Sequence, residues 1–168
     1  MLQVMALNQA SIGLGAVAMP INFQTSLEMD LVYSRWWGDV TIGACRQTWA
    51  TYLDDVYYKP GRTELHDLTD VTSFDANFSS IWSALNLVNG QSVGSPVRTR
   101  TLMVVPDDFL YGFARIYQTL AENADGIIVE IYRSLQDAVA ALDLGVSSLD
   151  DLLAKGRFMP HARARSVG

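Results

Sequence analysis

The stretch ELHDLTDVTSFDANFSS, Glu64 to Ser80, sets one of the chain's two histidines beside Asp67, Asp70 and Asp75 and a run of hydroxyls. A histidine next to an acid raises the possibility of acid–base or nucleophilic chemistry. Adjacent strand residues point to opposite faces, however, so His66 and Asp67 do not form a couple by themselves. A triad needs distant partners, and the chain has no G-x-S-x-G elbow. A hydrolase using His66 or His161 with a serine therefore ranks last, and His66 is read as packed on a sheet face or hydrogen-bonded at the surface.

Other reactive side chains have structural readings. The pairs Asp54/Asp55, Asp107/Asp108 and Asp150/Asp151 suit helix ends, where acids favour the N-terminal dipole. With Cys45 alone and the histidines far apart, neither a disulfide nor a metal site is expected, and no cofactor is implied. Cys45 is read as a core residue on a helix. Arg115 is either paired with a nearby acid or an anion contact at a pocket between helices. Arg98 and Arg100 share one strand face, where they bind an acidic partner or shield an edge. Of Trp36 and Trp37, one faces the core and the other the opposite side, which suits a subunit contact or a pocket mouth.

These residues need elements to position them. NFQTSLEMD (22–30) alternates, with Phe23, Leu27 and Met29 on one face, and LVYSRWWG follows as the second arm of an antiparallel hairpin. Thr41 caps a helix bearing Cys45, Trp49, Tyr52 and Leu53, which YYKPG ends. The short strand TELHDL leads to a helix from about Phe74 to Leu87, for which Thr72 is a possible cap. VRTRTLMVV is a strand that enters a covered sheet, closed by Pro106. Asp107 or Asp108 then caps a helix with Phe109, Phe113, Ile116 and Leu120 inward. IIVEIY is a buried strand. SLQD and SLDD, from Ser134 and Ser148, open two helices through capping boxes, the second ending at Lys155 and Gly156. Strands alternating with helices predict an α/β fold: a mostly parallel sheet of about five strands, begun by an antiparallel edge hairpin and covered by helices.

At 168 residues, 49% hydrophobic and 18% charged, the chain fits one globular domain. The expected division is an N-terminal arm at 1–21, a domain at 22–155 and a basic tail at 156–168. The apolar arm has no Lys or Arg before Arg35, so it is not read as a signal peptide, and a neighbouring subunit is one natural surface for it. A net charge of -6 opposes binding to nucleic acid or to anionic lipid surfaces. The end of the chain, KGRFMPHARARSVG, carries Lys155, Arg157, Arg163 and Arg165 without an acid, and is read as solvated or folded back on an acidic body. No apolar run approaches the ~20 residues of a membrane span, so stable membrane insertion is not expected.

In this order, WWGDVT, YYKPG, HDLTDVT, VVPDDFLYGFARIYQTLAEN and IYRSLQDAVAAL resemble a bacterial group of small STAS-like proteins. These have the anti-sigma-factor antagonist fold related to the Sec14 lipid-binding fold. The resemblance covers about residues 23 to 145. It implies that fold and a tendency towards partner binding, in a group largely of unassigned activity. In antagonists of the fold, a segment like D-L-T-x-V-x-x-x-D precedes a serine or threonine at a helix start, and phosphorylation there switches partner binding. Laid on this sequence, the pattern falls on Asp67, Leu68, Thr69, Val71 and Asp75, and Asn77 occupies the acceptor position. Asparagine accepts no phosphate, so the resemblance implies a switch that is absent here. What it leaves is a contact surface around Asp70, Ser73 and Asn77.

The leading expectation is a non-enzymatic, cytoplasmic binding or regulatory module that acts through protein contacts and self-associates, most simply as a dimer. The alternative is a carrier of an apolar or acyl ligand held between helices and sheet, its acidic end met by Arg115 or an edge arginine. Asp70, Ser73, Asn77, Arg115, Trp36 and Trp37 are the candidate binding residues.

Overall fold

The computed structural model describes residues 19–75, 77, 79–81, 83, 97–122 and 126–162. Residues 1–18 of the arm expected at 1–21, most of the helix expected at 74–87, the loop after it and residues 163–168 lie outside that set.

The chain opens on a hairpin. Strands β1 (Ile21–Ser26) and β2 (Leu31–Thr41) run antiparallel, from the pair Ile21 and Trp36 to the pair Ser26 and Leu31. β1 ends earlier than its alternation suggests because the Ser26 hydroxyl accepts the Met29 amide at 3.1 Å and folds 27–30 into a turn. Leu27 and Met29, expected on the strand face, sit in that turn, where Asp30 takes a left-handed φ of 48°. Thr41 caps α1 (Ile42–Leu53) through its hydroxyl, which accepts from the Ala44 amide.

Strand β3 (Thr63–Asp75) is longer than TELHDL and takes in Phe74, which the pattern assigned to a helix. Two register irregularities against β2 carry it on, so Trp37 meets Asp70 and Val40 meets Phe74. Thr72 is not a cap; its hydroxyl donates to Asp39 at 3.1 Å. The cap is Asn77, whose side-chain oxygen accepts the Ser80 amide while its own amide donates to the Ser80 hydroxyl, both at 2.9 Å. Residues 79–81 and 83 are helical.

Next come β4 (Thr99–Val104) and α2 (Asp108–Glu122), which Asp107 caps by accepting from the Phe109 and Leu110 amides. The inward face of α2 is Leu110, Ala114, Leu120 and Ala121. Phe109 and Ile116, expected inward, are exposed instead. β5 (Ile127–Tyr132), α3 (Leu135–Ala141) and α4 (Leu149–Lys155) follow, with Ser134 and Ser148 capping the two helices as expected. A two-residue strand β6 (Met159–Pro160) then pairs with Gln24 and Thr25.

The sheet order is β5-β4-β3-β2-β1-β6, parallel from β2 to β5 and antiparallel at the β1 and β6 edge. On one face Leu31, Tyr33, Leu65, Leu102 and Val104 pack against Ala138, Val139, Leu142 and Leu152 of α3, α4 and the residues just after α3. On the other, Ile21, Val40 and Leu68 meet Leu110 and Ala114 of α2, and Phe23 and Val32 meet Tyr52 of α1. This second face is incompletely filled. The space left there is a cavity.

Candidate functional site

A cavity of about 200 Å³ lies between the β1–β5 face and helices α1 and α2. Alternate strand residues form its floor: Phe23, Ser34, Trp36, Glu64, His66 and Thr101 are among them. α1 contributes Cys45, Trp49 and Tyr52, spaced at three and four residues, and α2 contributes Ala114 and Tyr117. The loop from Tyr58 to Arg62 closes one end. That loop is held tightly. Gly61 has φ 78°, and a Cβ there would lie 2.0 Å from Val97 Cγ1.

The floor carries a connected polar series. Ser34 Oγ lies 2.6 Å from His66 Nδ1 and accepts from Trp36 Nε1 at 2.7 Å. His66 Nε2 is 3.2 Å from Glu64 Oε2, which also accepts from the Thr101 hydroxyl at 3.2 Å. An ionised Glu64 only accepts, so the ring donates from Nε2, and in the tautomer protonated there alone Nδ1 accepts from the Ser34 hydroxyl. The series is satisfied from end to end. Glu64 and Thr101 are buried, where polar groups need partners of this kind.

A Ser–His–acid series is the skeleton of acyl-transfer sites, but the surroundings here differ. Ser34 lies on a strand paired on both sides, with Phe23 and with His66, so its backbone belongs to the sheet ladder. A backbone amide engaged in the ladder is not free to stabilise an oxyanion. His66 and Asp67 do point to opposite faces: Asp67 accepts the Tyr33 hydroxyl at 3.1 Å on the α3–α4 side.

The cavity walls have their own electrostatics. Burial first and the Glu64 carboxylate second push the phenols of Tyr52 and Tyr117 up, so both remain neutral. Burial pushes the Cys45 thiol up to about 12, which makes it an unreactive wall group. The Trp49 indole Nε1 is buried and finds no acceptor among the described residues. At the loop end, Lys59 and Arg62 both pair with Asp30, at 2.7 and 2.9 Å.

The candidate residues from the sequence do not converge. Trp36 lines the cavity, edge-on to His66. Trp37 lines an open groove on the opposite face with Tyr33, Asp67 and Asp70. Asp70 pairs with Arg35 at 2.6 Å, and Ser73 donates to Asp39 at 2.6 Å. No hydrogen bond or ion pair joins Asp70, Ser73 and Asn77 to one another among the described residues. Arg115 is exposed, donates to Gln118 and lies away from the cavity. Arg100 clasps Glu130 through two nitrogens. The arginines that do line the cavity are Arg46 and Arg62, which the sequence reading passed over. Arg62 was legible only as part of YYKPGR, next to the turn.

No family model matches the chain, and no curated protein matches it. A solved structure is similar to the chain. It is an uncharacterized protein from the DUF3478 family with a SpoIIAA-like fold, from Shewanella loihica PV-4. It is 16% identical, with a TM-score of 0.48, and the match covers 77% of this chain and 99% of that one. At that identity the likeness concerns the fold alone. No helix among the described residues is long and apolar enough to cross a membrane.

Proposed function

We propose that the chain is a non-enzymatic binding module whose ligand is a small apolar molecule held between the sheet and helices α1 and α2. The cavity carries this reading: about 200 Å³, walled by Phe23, Trp49, Tyr52 and Tyr117, with few polar groups, the usual make-up of a ligand site. Its size sets the scale of the occupant. An apolar cavity of about 150 Å³ is enough for benzene, so this one suits one substituted ring or a short chain and is too small for a whole phospholipid. The carrier reading is thereby narrowed from lipids to compact molecules.

Binding of a molecule that fits stabilises the folded state in proportion to the logarithm of its concentration over Kd. Melting curves with toluene, indole and 1-hexanol, alongside native mass spectrometry of gently purified protein, test the proposal. A rise in Tm with at least one of them is expected, and Ala114→Leu, which fills the space from α2, should abolish it. No rise with any compound, and no co-purifying mass, would reject the reading.

A second reading concerns the opposite face. The groove that holds Trp37, Arg35 and Asp70 between β2, β3 and the helices α3 and α4 favours a protein contact, and a second copy of this chain is the proposed occupant. Trp37→Ser should lower the mass seen in solution. A wild-type chain that is monomeric at high concentration would end this reading.

A further inference from the structure

The polar series on the cavity floor makes each of its links, yet it uses only one oxygen of Glu64. His66 Nε2 and the Thr101 hydroxyl both meet Oε2, each at 3.2 Å. Oε1 has no hydrogen-bond partner among the described residues. The side-chain atoms there that are both unpartnered and sealed from solvent are Thr25 Oγ1 and Trp49 Nε1, so Glu64 Oε1, unpartnered as well, keeps accessible surface. The residue as a whole is 7% exposed and lines the cavity. A carboxylate oxygen so deeply placed ordinarily finds a donor, and this one is an acceptor with a bond still to make.

Its neighbours bear on which molecule can make that bond. Tyr52, Tyr58 and Tyr117 line the same space, and in each the Glu64 charge is, after burial, the next cause that pushes the phenol up. None of the three hydroxyls has a hydrogen-bond partner among the described residues. A phenol turns its proton to give or to take, so it suits a donor and an acceptor alike, whereas a carboxylate only takes. The cations that line the cavity are already held, Lys59 and Arg62 on Asp30 and Arg46 on Ser83. On the floor, the open group of fixed polarity is Glu64. Above it, Tyr52 packs edge-on to Phe23 and Tyr58 at 5.5 and 5.1 Å, a wall suited to a further ring.

We infer that the cavity selects a small aromatic molecule bearing an N–H or O–H group, which donates to Glu64 Oε1 while the ring lies against the aromatic wall. This rests on the ligand-binding reading above and adds to it the chemical class of the ligand and the residue that chooses it. A ligand ending in a carboxylate is disfavoured, because it would bring a like charge to Glu64.

Three molecules of one shape test the assignment. Indole carries a donor, benzofuran an acceptor and indene neither. Each is titrated into the full chain, with Kd read by calorimetry. Indole is expected to bind at least about tenfold more tightly than the other two, since hydrogen bonds to charged groups are the stronger kind. Glu64→Gln keeps the shape and reverses the polarity: His66 and Thr101 both donate, so the amide oxygen goes to them and the amide NH2 turns to the cavity. The advantage of indole over benzofuran should then fall by about tenfold or more, while indene, which asks nothing of Glu64, should change far less. Should Glu64→Gln not fold, the indole N–H proton resonance is followed on binding to the wild-type chain, where it should move downfield. Equal binding of indole and indene to the wild-type chain would overturn the donor assignment and leave the cavity function standing. An indole preference that survives intact in Glu64→Gln, or an N–H resonance that stays in place, would overturn the role given to Glu64. Failure of all three molecules to bind would overturn both this inference and the function on which it rests.

Discussion

Trp36 stands edge-on to His66 with ring centroids 5.8 Å apart, and both rings direct a nitrogen at the same atom, Ser34 Oγ. A tryptophan, a serine and a histidine from neighbouring strands thus form one hydrogen-bonded unit, anchored beyond His66 by Glu64. Its value to the fold depends on its being complete. His66→Leu leaves the buried Glu64 carboxylate with Thr101 alone, and should cost about 1–3 kcal/mol in urea denaturation. The double change Glu64→Leu/His66→Leu removes donor and acceptor together and should recover part of that loss. A single variant with an unchanged urea midpoint would show that the network does not stabilise the fold.

Gly61 makes a harder prediction. With φ 78° and Val97 Cγ1 only 2.0 Å from where a Cβ would stand, Gly61→Ala meets both backbone strain and a collision. The strain alone is worth roughly 1–2 kcal/mol. Adding Val97→Ala should relieve the collision but not the backbone cost, so the double variant should melt between Gly61→Ala and wild type.

Asn77 and Ser80 cap the helix start reciprocally. Asn77→Ala should lose about 1 kcal/mol, and Asn77→Asp should be nearly neutral because aspartate caps equally well. Circular dichroism with thermal melting measures both. If Asn77→Ala proves silent, the cap is not a source of stability.

Acid sensitivity follows from two carboxylates. The Lys59 hydrogen bond, reinforced by Arg62, holds Asp30 below its ordinary 3.8, and the Arg100 clasp holds Glu130 below its ordinary 4.5. A depressed folded pKa means the stabilisation is present above the unfolded value and is lost as pH falls through the folded one. Stability should therefore hold above pH 5 and decline from about pH 4 downwards. Asp30→Asn tests the share of one site without disturbing its left-handed backbone, which asparagine tolerates. Its stability-versus-pH curve should be flatter below pH 4, and an identical curve would count against the assignment.

Cys45 offers a reporter. Burial raises its pKa to about 12, so the folded protein should react negligibly with a thiol-selective disulfide reagent at pH 8, and the denatured chain should react at one thiol. Rapid labelling of the native chain would mean that the half-buried thiol is reactive where it stands and that its pKa is not held up by burial.

The elements were largely readable because their signals are local. Thr41, Ser134 and Ser148 cap helices by their own side chains, and IIVEIY is apolar enough to be a strand, although it lies at the sheet edge with Ile128 exposed and is not buried throughout. The misreadings share a cause in contacts from outside the segment. Phe74 joins β3 because β2 runs beside it through Val40, and Phe109 turns outward although it keeps helical spacing with Phe113 and Ile116. The cavity was less legible still. Ser34, Glu64 and His66 come from two strands, and a cross-strand register that brings Ser34 opposite His66 is a property of the pairing rather than of either stretch. Arg46 and Arg62 become neighbours of one space only when α1 and the 58–62 loop are laid over the sheet.

The short β6 has a bearing on how copies of the chain can join. It lies along Gln24 and Thr25, and its second residue is Pro160, which has no amide hydrogen to offer outward. On that flank the sheet gives little purchase to another strand. At the far flank β5 presents its outer edge, with Ile128 exposed, uncovered by any described strand. A sheet closed on one side and open on the other grows in one direction only. Two such edges meeting exhaust each other, so strand-to-strand association of this protein would stop at a pair instead of running on into a fibre.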